Sequence, residues 1–140
     1  MPASARVQSR STGIPGRYIL SAPGKHMVVD ASPASGGAGE SFVAQELLVG
    51  ALATCAQAVV HAKGEELSTT PSSVLVEVES ERDVEARPPA YSSVRMDFTF
   101  GGITEDQAKT LVGEFTRGCP IYHAVGSATT IKVSVSVLEK

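Results

Sequence analysis

Cys55 and Cys119 are the residues best suited to chemistry in this chain. Cys55 lies in Gly50-Ala51-Leu52-Ala53-Thr54-Cys55-Ala56-Gln57, an apolar stretch with the look of a helix interior. Two roles are open to it there: a small buried hydrophobe, or a thiol nucleophile. Cys119 lies in Arg117-Gly118-Cys119-Pro120-Ile121-Tyr122-His123. Proline is favoured at the first helical position, so Cys119 stands at the start of a helical turn. The free N–H groups and the dipole of a helix start favour a thiolate, which makes Cys119 either a reactive thiol or a cap. The two do not form a C-x-x-C pair, which excludes a thioredoxin-type site. Cys119 and His123 could share a helix face, but two further zinc ligands do not follow at metal-binding spacing. His26 and His61 read as surface or strand residues. Phosphate loops, nucleotide fingerprints and Ser/His/Asp motifs are missing.

The elements that must position these thiols alternate strands and helices. Arg17–Ser21 and His26–Asp30 read as strands joined by the turn Ala22-Pro23-Gly24-Lys25. Ser32 to Glu40, with Gly36-Gly37-Ala38-Gly39, is a loop, after which Ser41 is positioned to cap a long helix. That helix is expected to end near Lys63, with Gly64 as its stop. Ser73–Val84 alternates as a half-buried strand, and Val94, Met96, Phe98 and Phe100 mark its partner beyond Arg87-Pro88-Pro89. Thr104 and Gln107 have capping-box spacing for a second helix reaching Arg117-Gly118. Ile131, Val133, Val135 and Val137 alternate in a last strand. The expectation is a single α+β domain over residues 1–140 with mostly antiparallel pairing, residues 1–14 being a flexible or edge-strand segment.

Composition narrows the function classes. The chain has 12 Lys+Arg against 15 Asp+Glu, a net charge of −3, so binding to nucleic acid by bulk charge is not expected. Aromatic residues are 5% and Trp is absent, which also argues against base-stacking platforms. Two cysteines are too few for a disulfide-stapled secreted scaffold. The acid-poor, Arg-bearing start of the chain could suggest an organellar transit peptide, but a frayed tail leading into a strand is the preferred reading. Phe42–Val60 approaches the length of a membrane span. Gln45, Glu46, Thr54 and Gln57 interrupt it, however, so a buried helix in a cytoplasmic protein is expected, without membrane contact. Leu47, Leu48, Val49, Ala51, Leu52 and Val60 leave that helix almost no polar face. A chain of 140 residues cannot readily cover such a helix alone, and a homodimer is expected.

Taken together, the cysteine segments carry a resemblance. Glu46-Leu47-Leu48-Val49-Gly50-Ala51-Leu52-Ala53-Thr54-Cys55 resembles the Glu-Leu-Leu…Ala-Leu-x-x-Cys helix of the OsmC/Ohr family, the osmotically inducible and organic hydroperoxide resistance proteins. His26-Met27-Val28-Val29-Asp30 with Gly36-Gly37 is similar to its strand and glycine loop. Gly118-Cys119-Pro120 and the strand from Ile131 to Leu138 are similar to its Cys-Pro turn and final strand. The resemblance spans roughly residues 15–138. It implies an OsmC-like α+β fold, antiparallel sheets around a long cysteine-bearing helix, and an intertwined homodimer with both cysteines of a chain in each site.

The resemblance also implies a chemistry. In the family's peroxidases the helix thiol, here Cys55, attacks an organic hydroperoxide, releasing an alcohol and leaving a sulfenic acid. The second thiol, here Cys119, condenses with it to a disulfide. A dithiol, or a lipoylated protein, resets the pair, so no bound cofactor or metal is expected. An Arg of the first strand region stabilises the thiolate, for which Arg17 is the candidate, with Arg10 as the other choice. Characterised peroxidases carry Asn-Pro-Glu with its Glu ten residues before the helix cysteine. Here Val43-Ala44-Gln45 occupies that place and the carboxylate is Glu46, one position later and about 100° around a helix. Glu46 is therefore either an activating carboxylate or an acid placed to suit a helix start. Local electrostatics would make Cys119 the readier thiolate, whereas the family assigns attack to Cys55, and that assignment is adopted. The competing functions are a non-catalytic dimer binding a small hydrophobic ligand and a thiol redox sensor.

Overall fold

The computed structural model describes residues 3–139; Met1, Pro2 and Lys140, which fall within the expected 1–140 domain, lie outside the described residues. The chain forms two compact units, one ending at Leu48 and the other starting at Val49.

The first unit is a three-stranded antiparallel sheet in the order β1 (Gln8–Ser11), β2 (Arg17–Ala22) and β3 (Lys25–Asp30). The Pro23-Gly24 turn closes the β2–β3 hairpin and sets its register, in which Arg17 faces Asp30 and Ser21 faces His26. A short 3-10 turn at Pro33–Ser35 follows and ends at Gly36, whose φ of 87° suits a residue without Cβ. The next glycine, Gly37, lies so close to the Ala31 carbonyl that a side chain would collide with it. Among the described residues of this unit, Asp30 alone is buried. Val7, Ile14 and Phe42 are each more than half exposed.

Helix α1 (Ala44–Glu66) begins in the first unit and continues into the second. It starts two residues later than the Ser41 cap predicts. The Ser41 N–H is already bonded to Asp30 Oδ2, and Phe42 accepts from the Asp30 N–H, which holds this stretch against β3. The far end also differs from expectation, since the helix passes through Gly64. That glycine is buried because the chain turns back over it; a Cβ there would stand 2.9 Å from the Thr69 carbonyl oxygen. The stop lies beyond it at Ser68, with φ 53°. Thr69 N–H donates to Gly64 O and Ser68 N–H to Glu65 O, the paired bonds of a Schellman end.

The second unit carries β4 (Ser73–Asp83), β5 (Ala90–Gly101), α2 (Glu105–Gly118), α3 (Pro120–Gly126) and β6 (Ile131–Val137). Its sheet runs β4-β5-β6 with β5 central. β4 pairs antiparallel with β5, as expected, but β6 pairs parallel to it. Parallel neighbours need a crossover, and α2 with α3 supplies it. One face of the sheet, led by Val94, Met96, Phe98 and Phe100, joins the core; the other carries Glu77, Arg95, Asp97 and Ser134. Thr104 and Gln107 form the complete capping box at the start of α2. By length and composition α1 could cross a membrane, but it contributes Leu52, Ala56 and Val60 to this core, each at most 1% exposed.

Candidate active site

Cys119 prolongs the inward stripe of one helix and Cys55 borders that of another. Along α2, Ala108, Leu111, Val112 and Phe115 recur at helical spacing and are buried, and Cys119 continues the stripe just past the helix end. Along α1, Leu52, Ala56 and Val60 mark the inward stripe, and Cys55 is partly buried beside it. The two helices thereby bring together residues 64 apart in sequence: Cys55 and Cys119 form a disulfide with a Cα–Cα separation of 6.7 Å. This lies within the span a disulfide accepts.

The turn that carries Cys119 is firmly anchored. Its N–H closes α2 by donating to Phe115 O, and its Sγ accepts the Tyr122 N–H at 3.3 Å, so one residue ends α2 and caps α3. Phe98 of β5 packs on Phe115 of α2 at 5.7 Å between ring centroids, and Phe115 meets Tyr122 of α3 edge-on at 5.4 Å. Contacts of this kind are worth about 0.5–1.5 kcal/mol each beyond their burial. Cys119 has no exposed surface.

The other expected site residues lie in the first unit. Arg17 is clamped by a two-pronged ion pair, Nε to Asp30 Oδ1 at 2.8 Å and Nη2 to Asp30 Oδ2 at 2.9 Å. Its Nη2 also donates to Glu40 Oε2 at 2.9 Å. The Asp30 side chain is fully enclosed and further accepts the Glu40 and Ser41 N–H groups. Hydrogen bonding from Arg17 holds the Asp30 carboxyl far below its ordinary range against the opposing effect of desolvation, with the two backbone donors adding to it. The same pairing raises Arg17. Glu46 accepts the Val43 N–H at 3.0 Å, the capping position for an acid in a first helical turn. Arg10 lies on the exposed edge strand β1.

Asp30 and Glu40 are residues that the sequence reading did not single out. The signal for Asp30 was present, since the hairpin turn places opposite charges at Arg17 and Asp30 directly across from each other. Among the described residues, no group of three or more His, Cys, Asp or Glu side chains could hold a metal ion. His26 pairs with Ser21, His61 with Glu65, and His123 with the Arg117 carbonyl.

A family profile described as OsmC-like protein matches residues 37–134, most of the chain and both cysteines. The chain belongs to the OsmC-like family. Its fold is that of solved OsmC structures. An OsmC-like protein from Mycoplasma pneumoniae matches with a TM-score of 0.87 at 15% identity, over 99% of this chain and 100% of that one. An organic hydroperoxide resistance protein OsmC from Legionella pneumophila matches with a TM-score of 0.77 at 18% identity, over 96% and 98%. One from Elizabethkingia anophelis, named an organic hydroperoxide resistance protein, gives 0.72 at 14% identity over the whole of both chains. No match is found among curated protein sequences.

Proposed function

We propose that this OsmC-like protein is a thiol-dependent peroxidase that reduces organic hydroperoxides to alcohols. The pairing of Cys55 with Cys119 is the observation that carries this reading, because a two-thiol peroxidase cycle needs two sulfurs that can bond. The naming of the Legionella and Elizabethkingia proteins for organic hydroperoxide resistance supports it. In the cycle, the Cys55 thiolate attacks the peroxide oxygen, the O–O bond breaks, and the alcohol leaves after taking a proton. The sulfur, oxidised by two electrons, is then a sulfenic acid. Cys119 displaces its oxygen as water, and the disulfide protects the sulfur from further oxidation. An external dithiol, free or lipoylated, returns two electrons, so the cycle calls for no bound cofactor.

Arg17 is assigned as the cation that favours the Cys55 thiolate. Glu46 is assigned as the accompanying carboxylate. We place the protein in the cytoplasm, as a homodimer; the exposed apolar side chains of the first unit support a covering partner. A monomer at micromolar concentration in sedimentation would count against the dimer.

One observation favours a second reading, a non-catalytic dimer that binds a small hydrophobic ligand: the Glu46 carboxylate is engaged in capping its own helix. A peroxide pulse separates the two. The peroxidase consumes cumene hydroperoxide with dithiol present, loses all turnover in Cys55→Ser, and accumulates trappable sulfenic acid in Cys119→Ser. If neither native thiol is modified by the pulse, the peroxidase reading fails.

A further inference from the structure

The two sulfurs of the disulfide are not equivalent. Cys119 is 0% exposed, enclosed in the core, whereas Cys55 is only partly buried. Thiol–disulfide exchange requires the incoming thiolate to reach the attacked sulfur from behind, in line with the bond that breaks, so access selects the sulfur. The leaving sulfur departs as a thiolate, and a donor already aimed at it eases that departure. Cys119 Sγ has such a donor in the Tyr122 N–H at 3.3 Å.

From these two observations we infer that the Cys55–Cys119 disulfide is opened from one side: the reductant bonds to Cys55 and Cys119 leaves. The inference deepens the thiol-redox reading above and rests on it. In the first step one thiolate of a dithiol attacks Cys55 Sγ. The S–S bond breaks, its electron pair goes to Cys119 Sγ, and a mixed disulfide joins the reductant to Cys55. In the second step the other thiol of the reductant, giving up its proton, attacks the reductant's own sulfur in that mixed disulfide. A cyclic disulfide departs, Cys55 is released as a thiolate, and two electrons have passed from the dithiol to the protein. Cys119 thus serves as a buried leaving group and never bonds to the reductant.

The test uses the full-length protein oxidised with diamide, so it does not depend on peroxide as substrate. The disulfide is treated with glutathione, a monothiol that completes the second step only when a second molecule attacks, so the mixed disulfide is sampled at the earliest times. Samples are quenched in acid within seconds, alkylated with N-ethylmaleimide in denaturant, and mapped by peptide mass spectrometry. The expected product carries glutathione on Cys55 and maleimide on Cys119, at least tenfold over the reverse arrangement. Glutathione on Cys119, equal labelling of the two, or reduction without any adduct on Cys55 would overturn the inference. Loss of peroxide consumption with the same one-sided labelling would instead sink the peroxidase reading and leave the direction of opening intact.

Discussion

Reducing the Cys55–Cys119 disulfide is expected to weaken the fold by an amount that the sequence separation sets. The bond closes a loop of 64 residues. In the chain-entropy treatment, a loop of that length removes about 14.5 cal/mol/K from the unfolded ensemble, or about 4.3 kcal/mol at 25 °C. For a chain of this size a loss of that order lowers Tm by about 10–15 °C. With no Trp in the chain, unfolding is best followed by far-ultraviolet circular dichroism. Oxidised protein, protein held in excess dithiol, and the Cys55→Ser/Cys119→Ser variant are to be compared at one protein concentration, because assembly would shift all three. The serine at position 119 keeps an acceptor for the Tyr122 N–H, so the double variant should track the reduced protein. By the same thermodynamic cycle, the fold makes the bond about a thousand-fold easier to form than it would be in the unfolded chain. A difference below about 1 kcal/mol between oxidised and reduced protein would refute the reasoning, since the fold would then do little to hold the thiols together.

Further outcomes follow from other parts of the structure. Asp30 is held below its ordinary pKa of 3.8, so its contribution to stability is complete above that value and is lost as pH falls toward the folded value. The urea midpoint of the wild type should fall in that acid window, and Asp30→Asn should flatten the dependence; parallel profiles would contradict the pairing. Leu52→Ala, at a position with no exposure, should cost about 2–5 kcal/mol in urea unfolding. Thr104→Ala, which removes half of the α2 capping box, should cost about 1 kcal/mol. Glu46→Gln should slow hydroperoxide turnover if Glu46 assists Cys55, and leave turnover unchanged if it only caps α1 at Val43; initial rates under excess dithiol distinguish these.

The hairpin, the paired strands β4 and β5 and the α2 capping box were legible in the sequence because each rests on interactions a few residues apart or on strict alternation. The ends of α1 were not, since distant residues decide them. Asp30 draws the Ser41 and Glu40 N–H groups to itself, which displaces the helix start to Ala44. Gly64 looks like a stop, yet its missing side chain makes room for the chain at Thr69, and Ser68 takes the left-handed turn instead. The parallel β5–β6 pair depends on the whole crossover between them, which no alternation pattern encodes. For the site, the motifs identified both cysteines, while the bond between them required the fold. Arg17 was named without its partners, although the register of the Pro23-Gly24 turn already set Asp30 opposite it.

Acidity and access are separate properties of a thiol, and helix position and burial point to different cysteines here. A helix start with a free N–H donor favours thiolate, so position alone nominates Cys119 as the attacking sulfur. That position is also the one the α2 stripe carries into the core, where Cys119 has no exposed surface. Cys55 has the opposite character, mid-helix and without such a cap, yet partly exposed. In the proposed cycle the Tyr122 N–H therefore acts on a sulfur whose one bonding partner is Cys55. On that proposal the same donor assists Cys119 as it displaces the oxygen of a Cys55 sulfenic acid and again as it departs when a dithiol attacks Cys55. In the proposed cycle one hydrogen bond from Tyr122 thus serves both directions, and the burial that would deny Cys119 the first attack would also spare it direct oxidation.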